Sequence, residues 1–246
     1  MNYTVLIGIF SDLHANLPSM KLACKIFEEH SVDQILCAGD IVGYYTEPVK
    51  VLEMLRERTE HVVIGNHDAI AVTDNFTREI KYFNDIARQS LVWTRQVMMD
   101  HKEHWEYLKN LPYTKKVHLD GISFFMVHST PNIPQEWDYY YYFGVSDQDI
   151  ELTSWLDTYD ADVIVLGHTH VPFIFKTEEE KPRIVLNPGS TGQPRDGDPR
   201  GSLMLYDTKT REVEHIRYNF NIEEVCTDVK KNRLHSYLCD RLYKGR

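Results

Sequence analysis

The chain has 246 residues, 42% of them hydrophobic, which is enough to bury one large α/β core without requiring a second domain. Its 27 Lys and Arg against 37 Asp and Glu leave a formal charge of -10, which argues against a large basic nucleic-acid-binding face but leaves room for a phosphorylated ligand beside bound cations. Cys24, Cys37, Cys226 and Cys239 lack metal-binding spacing, the apolar start lacks a basic leader, and no run reaches transmembrane length, so the sequence predicts a cytoplasmic protein with no membrane partner.

Residues 5–10 are a short β-branched run and predict a first strand, with Ser11 to Asn16 as the loop after it. Pro18 suits a first helical turn, and Leu22, Ala23, Ile26 and Phe27 form the apolar face of a helix that ends near His30. Residues 34–38 predict the second strand, 48–58 the next helix and 61–64 a third strand. This alternation predicts a layered α/β fold. From residue 77 the pattern turns helical, giving an insert of about residues 77–110 over the core and one side of the site mouth.

Residues 115–120 and 122–127 flank Gly121 and predict a tight hairpin, since an Asp-Gly step suits a two-residue turn. The aromatic run Tyr139-Tyr140-Tyr141-Tyr142-Phe143 either stacks an aryl group or packs a long loop on the core. Ser146 and Asp149 mark a helix start. Residues 163–166 read as a buried strand, 173–176 and 184–186 as a hairpin over the acidic tip Glu178 to Glu180, and 202–206 and 212–216 as two further strands. A helical tail over about 222–242 packs on the domain or on another subunit, which leaves a homo-oligomer open. No low-complexity linker intervenes, so residues 1–246 read as one domain.

Five polar turns follow apolar runs: Asp12 with His14, Asp40, Asn66 with His67, His128, and His168 with His170. Strand ends of open α/β sheets are where ligands sit. Carboxylates, imidazoles and an amide together suit divalent transition metals, and they suit calcium poorly because calcium prefers an oxygen-only shell. A carboxylate at Asp40 can bridge two cations about 4 Å apart, a separation useful for polarising phosphate oxygens.

In order, these blocks read D-x-H, G-D-x-x-G, G-N-H-D, strand-H, G-H-T-H and N-P-G-S, from residue 12 to residue 190. The chain thereby resembles the calcineurin-like metallophosphoesterase superfamily, in its small prokaryotic predicted-phosphodiesterase branch. The resemblance implies a four-layer α-β-β-α sandwich. It places Asp12, His14 and His170 on one metal, Asn66, His128 and His168 on the other, and Asp40 between them. It makes His67 the catalytic histidine near the leaving-group oxygen, with Asp68 orienting it. The implied reaction is hydrolysis of a small phosphodiester or phosphomonoester by metal-activated hydroxide, with two divalent ions, manganese first and iron, zinc, nickel or cobalt as alternatives.

Arg195, in a turn-rich polar stretch, is a candidate phosphate clamp or else part of an Arg-Asp surface network, and Asn16 is a second candidate substrate contact. After Asp40 the chain reads Ile-Val-Gly-Tyr-Tyr, without the arginine-glycine signature of protein serine/threonine phosphatases and symmetric diadenosine-tetraphosphate hydrolases. Two other classes are weighed beside the small phosphorylated substrate, itself possibly a nucleotide. They are a nucleotide or nucleic-acid phosphodiesterase or nuclease, which the acidic bulk disfavours, and a non-catalytic metal-binding regulatory protein.

Overall fold

Residues 6–10 bury Ile7 and Ile9 on one face of a strand and Phe10 on the other, and this two-residue alternation sets the layering of the molecule. The computed structural model describes residues 4–246. In chain order, β1 (Leu6–Phe10), α1 (Leu17–Glu29), β2 (Gln34–Cys37), α2 (Pro48–Arg56) and α3 (Asn66–Val72) come first. A helical stretch follows with α4 (Phe76–Glu79), α5 (Asp85–Met99) and α6 (Lys102–Lys109). Then come β3 (Thr114–Leu119), β4 (Ile122–Val127), α7 (Ser146–Thr158), β5 (Val163–Val165), β6 (Phe173–Lys176), β7 (Ile184–Asn187), β8 (Gly201–Asp207) and β9 (Val213–Tyr218), and the chain closes with α8 (Ile222–Lys231) and α9 (Tyr237–Lys244).

The strands form two sheets, ordered β2-β1-β8-β9 and β3-β4-β5-β7-β6. Ile7, Ile9 and Leu36 of the first pack with Phe124, Met126, Val163 and Leu186 of the second, so the two sheets meet face to face. Phe10, Cys37 and Leu203 turn the other way, onto Met20, Ala23 and Phe27 of α1 and Leu52 and Leu55 of α2. On the far side Ile164 and Val185 meet Leu152, Trp155 and Leu156 of α7. The result is the four-layer α-β-β-α sandwich. Among the described residues no helix is long and apolar enough to cross a membrane.

The β3–β4 hairpin turns at Asp120 (φ 48) and Gly121 (φ 78), two positive-φ residues as its Asp-Gly step requires. The third predicted strand, 61–64, is absent: it makes one isolated bridge, Cys37 to Val62, and the chain leaves the sheet there to start α3. The helical tail consists of two helices, α8 and α9. It folds back on its own chain, where Val225, Leu238 and Leu242 pack with Ala15, Tyr44 and Tyr45.

Candidate metal centre

Asp12 and His14 follow β1, Asp40 follows β2, His128 follows β4, and His168 and His170 follow β5, so both sheets deliver side chains to one rim. Backbone hydrogen bonds zip these turns together: Asp12 N–H to Gly39 O and Gly167 N–H to His128 O, each at 2.9 Å, and His14 N–H to Asp40 O at 2.9 Å. Asp12, His14, Asp40, His168 and His170 all lie at positive φ, between 48° and 68°. A left-handed residue other than glycine costs about 1–2 kcal/mol, so the turns hold these five conformations against their local preference.

One group of buried donor atoms within 4.8 Å of one another comes from Asp12, His14, Asp40 and His170, a second from Asp40, His128 and His168, and Asp40 belongs to both. The Nδ1 atoms of His14, His128 and His170 face the carbonyls of Val42, Ala38 and Gln193, which sets the tautomer of each neutral ring with Nε2 bare. His170 Nε2 then lies 3.2 Å from Asp12 Oδ1, an oxygen that is buried without a hydrogen bond. Two lone pairs at that distance repel unless a positive charge lies with them. His168 Nε2 is likewise buried and unpartnered. A divalent cation answers each of these orphaned acceptors, and the mixed O,N donor set fits a transition metal.

Electrostatics point the same way. Burial lowers His128, but the carboxylates of Asp40 and Asp12 more than offset it and push the ring up to about 9. Burial raises Asp40, and His128 and His67 together hold it well below the usual carboxylate value. The two acids thus call for positive charge at this point. Burial lowers His168 to about 3, with His128 adding to the effect.

Asn66 Oδ1 lies 3.3 Å from His128 Nε2, beside the second donor group. His67 lines the cleft in front of the rim, and its backbone N–H donates to Asp40 Oδ1 at 2.8 Å. Burial, reinforced by Arg195 and opposed by Asp40, lowers its ring to about 4, so at neutral pH it is an uncharged imidazole with one N–H to offer. Asp68 does not orient it. Instead Asp68 Oδ1 accepts from Ile41 N–H and Val42 N–H at 2.9 Å each and Oδ2 from Gly65 N–H at 3.0 Å, so this carboxylate ties the Asp40 turn to the start of α3. Burial and the charge of Asp40 raise it to about 7, against those three donors.

Asn16 is also placed differently from expectation. It is 1% exposed, caps α1 by accepting from Ser19 N–H, and donates to Gly192 O at 2.7 Å, so its amide is spent on the scaffold rather than turned to a ligand. Arg195 sits beside the rim: its charge acts on His14, His67 and His170. No carboxylate pairs with it among the described residues; the Arg-Asp pairs of this stretch are Arg200 with Asp198 and Arg217 with Asp196.

The model of the calcineurin-like phosphoesterase superfamily domain matches residues 5–211. The chain belongs to that superfamily. An uncharacterized protein of Methanocaldococcus jannaschii is 30% identical, over 98% of this chain and 98% of its own length. A phosphodiesterase of the same organism is 26% identical, over 85% of this chain and 97% of its own. The crystal structure of a metallophosphoesterase from Sphaerobacter thermophilus superposes with TM-score 0.80 at 29% identity, covering 99% of this chain and all of that one.

In this phosphoesterase, sequence reasoning overlooked the residues that hold Arg195. Gln193 Oε1 accepts from Arg195 Nε at 3.2 Å and Nη2 at 2.8 Å, and Arg195 Nη2 also donates to Tyr44 Oη at 3.0 Å. Gln193 Nε2 in turn donates to Tyr45 Oη at 3.0 Å, and Tyr45 Oη donates to Leu238 O of α9 at 3.3 Å. The only signal was positional: Tyr44 and Tyr45 directly follow the G-D-x-x-G block. The aromatic run divides by strand-like alternation. Tyr140 and Tyr142 pack toward Trp155 and Phe173, whereas Tyr139 stacks on the His168 ring at 4.1 Å and is 57% exposed.

Proposed function

We propose that this phosphoesterase hydrolyses a small phosphodiester or phosphomonoester at a centre of two divalent cations that share Asp40. The observation that carries the reading is the pair of buried donor groups with Asp40 in common, each containing an acceptor that has no partner. Asp12, His14 and His170 would hold one cation and Asn66, His128 and His168 the other, with manganese first among the metals the donors suit and iron, zinc, nickel or cobalt next. Bound cations supply Lewis acidity to the phosphoryl oxygens and to water.

The chain's own contribution is preorganisation. Carbonyl-anchored rings of His14, His128 and His170 keep Nε2 fixed, so no reorganisation is needed as charge builds on phosphorus. Arg195, steadied by Gln193 and Tyr44, takes a nonbridging oxygen. The water oxygen bonds to phosphorus as the bond to the leaving alcohol breaks, and a proton returns to that alcohol. His67 offers its ring N–H to the departing oxygen. The name of the M. jannaschii phosphodiesterase supports diester cleavage.

The test is steady-state hydrolysis of bis-p-nitrophenyl phosphate and p-nitrophenyl phosphate by manganese-loaded and metal-free protein, with Asp40→Asn alongside. Turnover should depend on metal and drop sharply in the variant. Undiminished turnover in protein shown by elemental analysis to be metal-free overturns the proposal. A loaded protein inert toward both esters favours a regulatory metal-binding role.

A further inference from the structure

The cleft that takes in Asn66, His67 and His168 measures about 300 Å³, the low end for a small-ligand site. Tyr82, Phe83, Glu136 and Trp137, which line it, also line a neighbouring cavity of about 530 Å³, whose walls further include Tyr113 and Glu79. The two spaces therefore share an aromatic wall, and the second opens beside the first.

Its chemistry is unlike that of the rim. Four aromatic rings meet two carboxylates and the Gln135 amide, and among the described residues no lysine or arginine lines the cavity. A phosphate is repelled there. A flat ring with N–H donors is suited to it, because the aromatic faces stack and Glu79, Glu136 and Gln135 accept. Phe83 also packs on the core, but packing does not account for Tyr82, which is 83% exposed, nor for the outer part of Tyr113, which is 38% exposed. The cavity also lies on a definite side of the reaction: the Phe83 ring meets the His67 ring edge to face, with centroids 5.3 Å apart and planes at 88°. The His67 ring thus borders the Phe83 wall that the two spaces share.

We propose that the leaving alcohol is a nucleoside whose base enters this aromatic side pocket; the inference rests on the phosphoester-hydrolase reading above. The P–O bond to the nucleoside breaks, water oxygen bonds to phosphorus, and the nucleoside departs as its free alcohol. Stacking of a base on aromatic side chains distinguishes it from a bare sugar by about tenfold or more.

Two measurements on the full chain loaded with manganese test it. In the first, kcat/KM is compared for the methyl ester of adenosine 5′-monophosphate and that of ribose 5-phosphate, which differ only by the base. The base-bearing diester should be cleaved about tenfold faster, releasing adenosine and methyl phosphate, and in Tyr82→Ala and Trp137→Leu the ratio of the two rates should fall toward one. In the second, calorimetric titration should show adenosine 5′-monophosphate binding more tightly than ribose 5-phosphate by a similar factor.

Equal rates together with equal affinities overturn the pocket assignment while leaving hydrolysis intact. A binding preference in protein inert toward every ester, p-nitrophenyl esters included, upholds the pocket and overturns the hydrolase reading instead. A ratio unmoved in both variants removes these rings from the recognition.

Discussion

His14 and His170 turn their Nε2 atoms toward each other at 3.1 Å, with both rings buried and both Nδ1 atoms at backbone carbonyls. Neither nitrogen has a proton left to share, so the pair is stable only around a positive charge. Cation binding should therefore be read directly as folding stability. At free manganese about one hundred times the dissociation constant, the gain is about 2.7 kcal/mol. Urea unfolding of metal-free and loaded protein should show that gain in the wild type and lose most of it in Asp40→Asn. Identical midpoints with and without metal would remove the cation from this pair.

Asp68 ties three buried N–H groups together, and its removal strands all of them. Asp68→Ala should cost roughly 3–5 kcal/mol, the scale of breaking a buried charged network, whereas Asp68→Asn keeps acceptor capacity at Oδ1 and should cost about half as much. Since Asp68 touches the backbone of the Asp40 turn and not the His67 ring, the loss should appear in the unfolding midpoint and in metal affinity together. An Asp68→Ala protein of wild-type stability contradicts this role.

The candidate ligands other than Asn66 were legible in the sequence because each follows a strand and strands of both sheets run toward one rim. Asp12, Asp40, His128 and His168 needed only that rule. What stayed hidden was contact between segments remote in sequence. Asp68 looked like a partner for its neighbour His67, yet its carboxylate reaches back to Ile41 and Val42. Asn16 looked like a free polar loop residue, and its amide instead joins α1 to Gly192. Residues 61–64 had the composition of a strand but only one bridging position, because the chain must turn at once to place Asn66 and His67. The alternation within 139–143 was visible, but which parity faces the core depends on α7 and β6.

Arg195 is held by a relay that reaches into α9, and this gives the C-terminal helices a measurable role at the site. Tyr45→Phe removes the hydroxyl between Gln193 and Leu238 and leaves the buried Gln193 amide N–H without its acceptor, a loss of about 1–3 kcal/mol. It should raise KM for phosphoesters with a smaller change in kcat. Arg195→Lys cannot reproduce the two bonds to Gln193 and should raise KM further, by about tenfold. An unchanged KM in Arg195→Lys excludes the arginine from phosphate binding.

Asp162 provides a pH-dependent stability prediction away from the rim. Burial raises its carboxyl, and hydrogen bonds from Ser123 N–H, Ser123 Oγ and Arg211 outweigh that and lower it below its ordinary 3.8. A carboxylate lowered by folding contributes stability that is present above its unfolded value and is lost as pH falls through the folded one. Arg211→Ala, which removes the 2.9 Å bond to Asp162 Oδ1, should thus cost roughly 1 kcal/mol at neutral pH. The cost should shrink as the pH is taken down through the ordinary carboxylate value of 3.8 and below. Denaturant midpoints at both values decide it, and a cost that grows on acidification contradicts the sign.

Gly65 joins the G-N-H-D block to Asp40 by close approach rather than by backbone freedom. Its φ of -98° is open to any residue, but a Cβ added there would lie 2.2 Å from both the backbone nitrogen and Oδ1 of Asp40. Alanine must therefore push Asp40 off the position where both donor groups share it. Gly65→Ala should lose metal, measured by elemental analysis, and about 1–3 kcal/mol or more of stability. Gly121→Ala makes the converse control: its φ of +78° strains a side chain, yet among the described residues nothing lies within 4 Å of the new Cβ. It should cost about 1 kcal/mol with full metal content. If Gly65→Ala keeps both its metal and its midpoint, the contact between this glycine and Asp40 does not position the shared carboxylate.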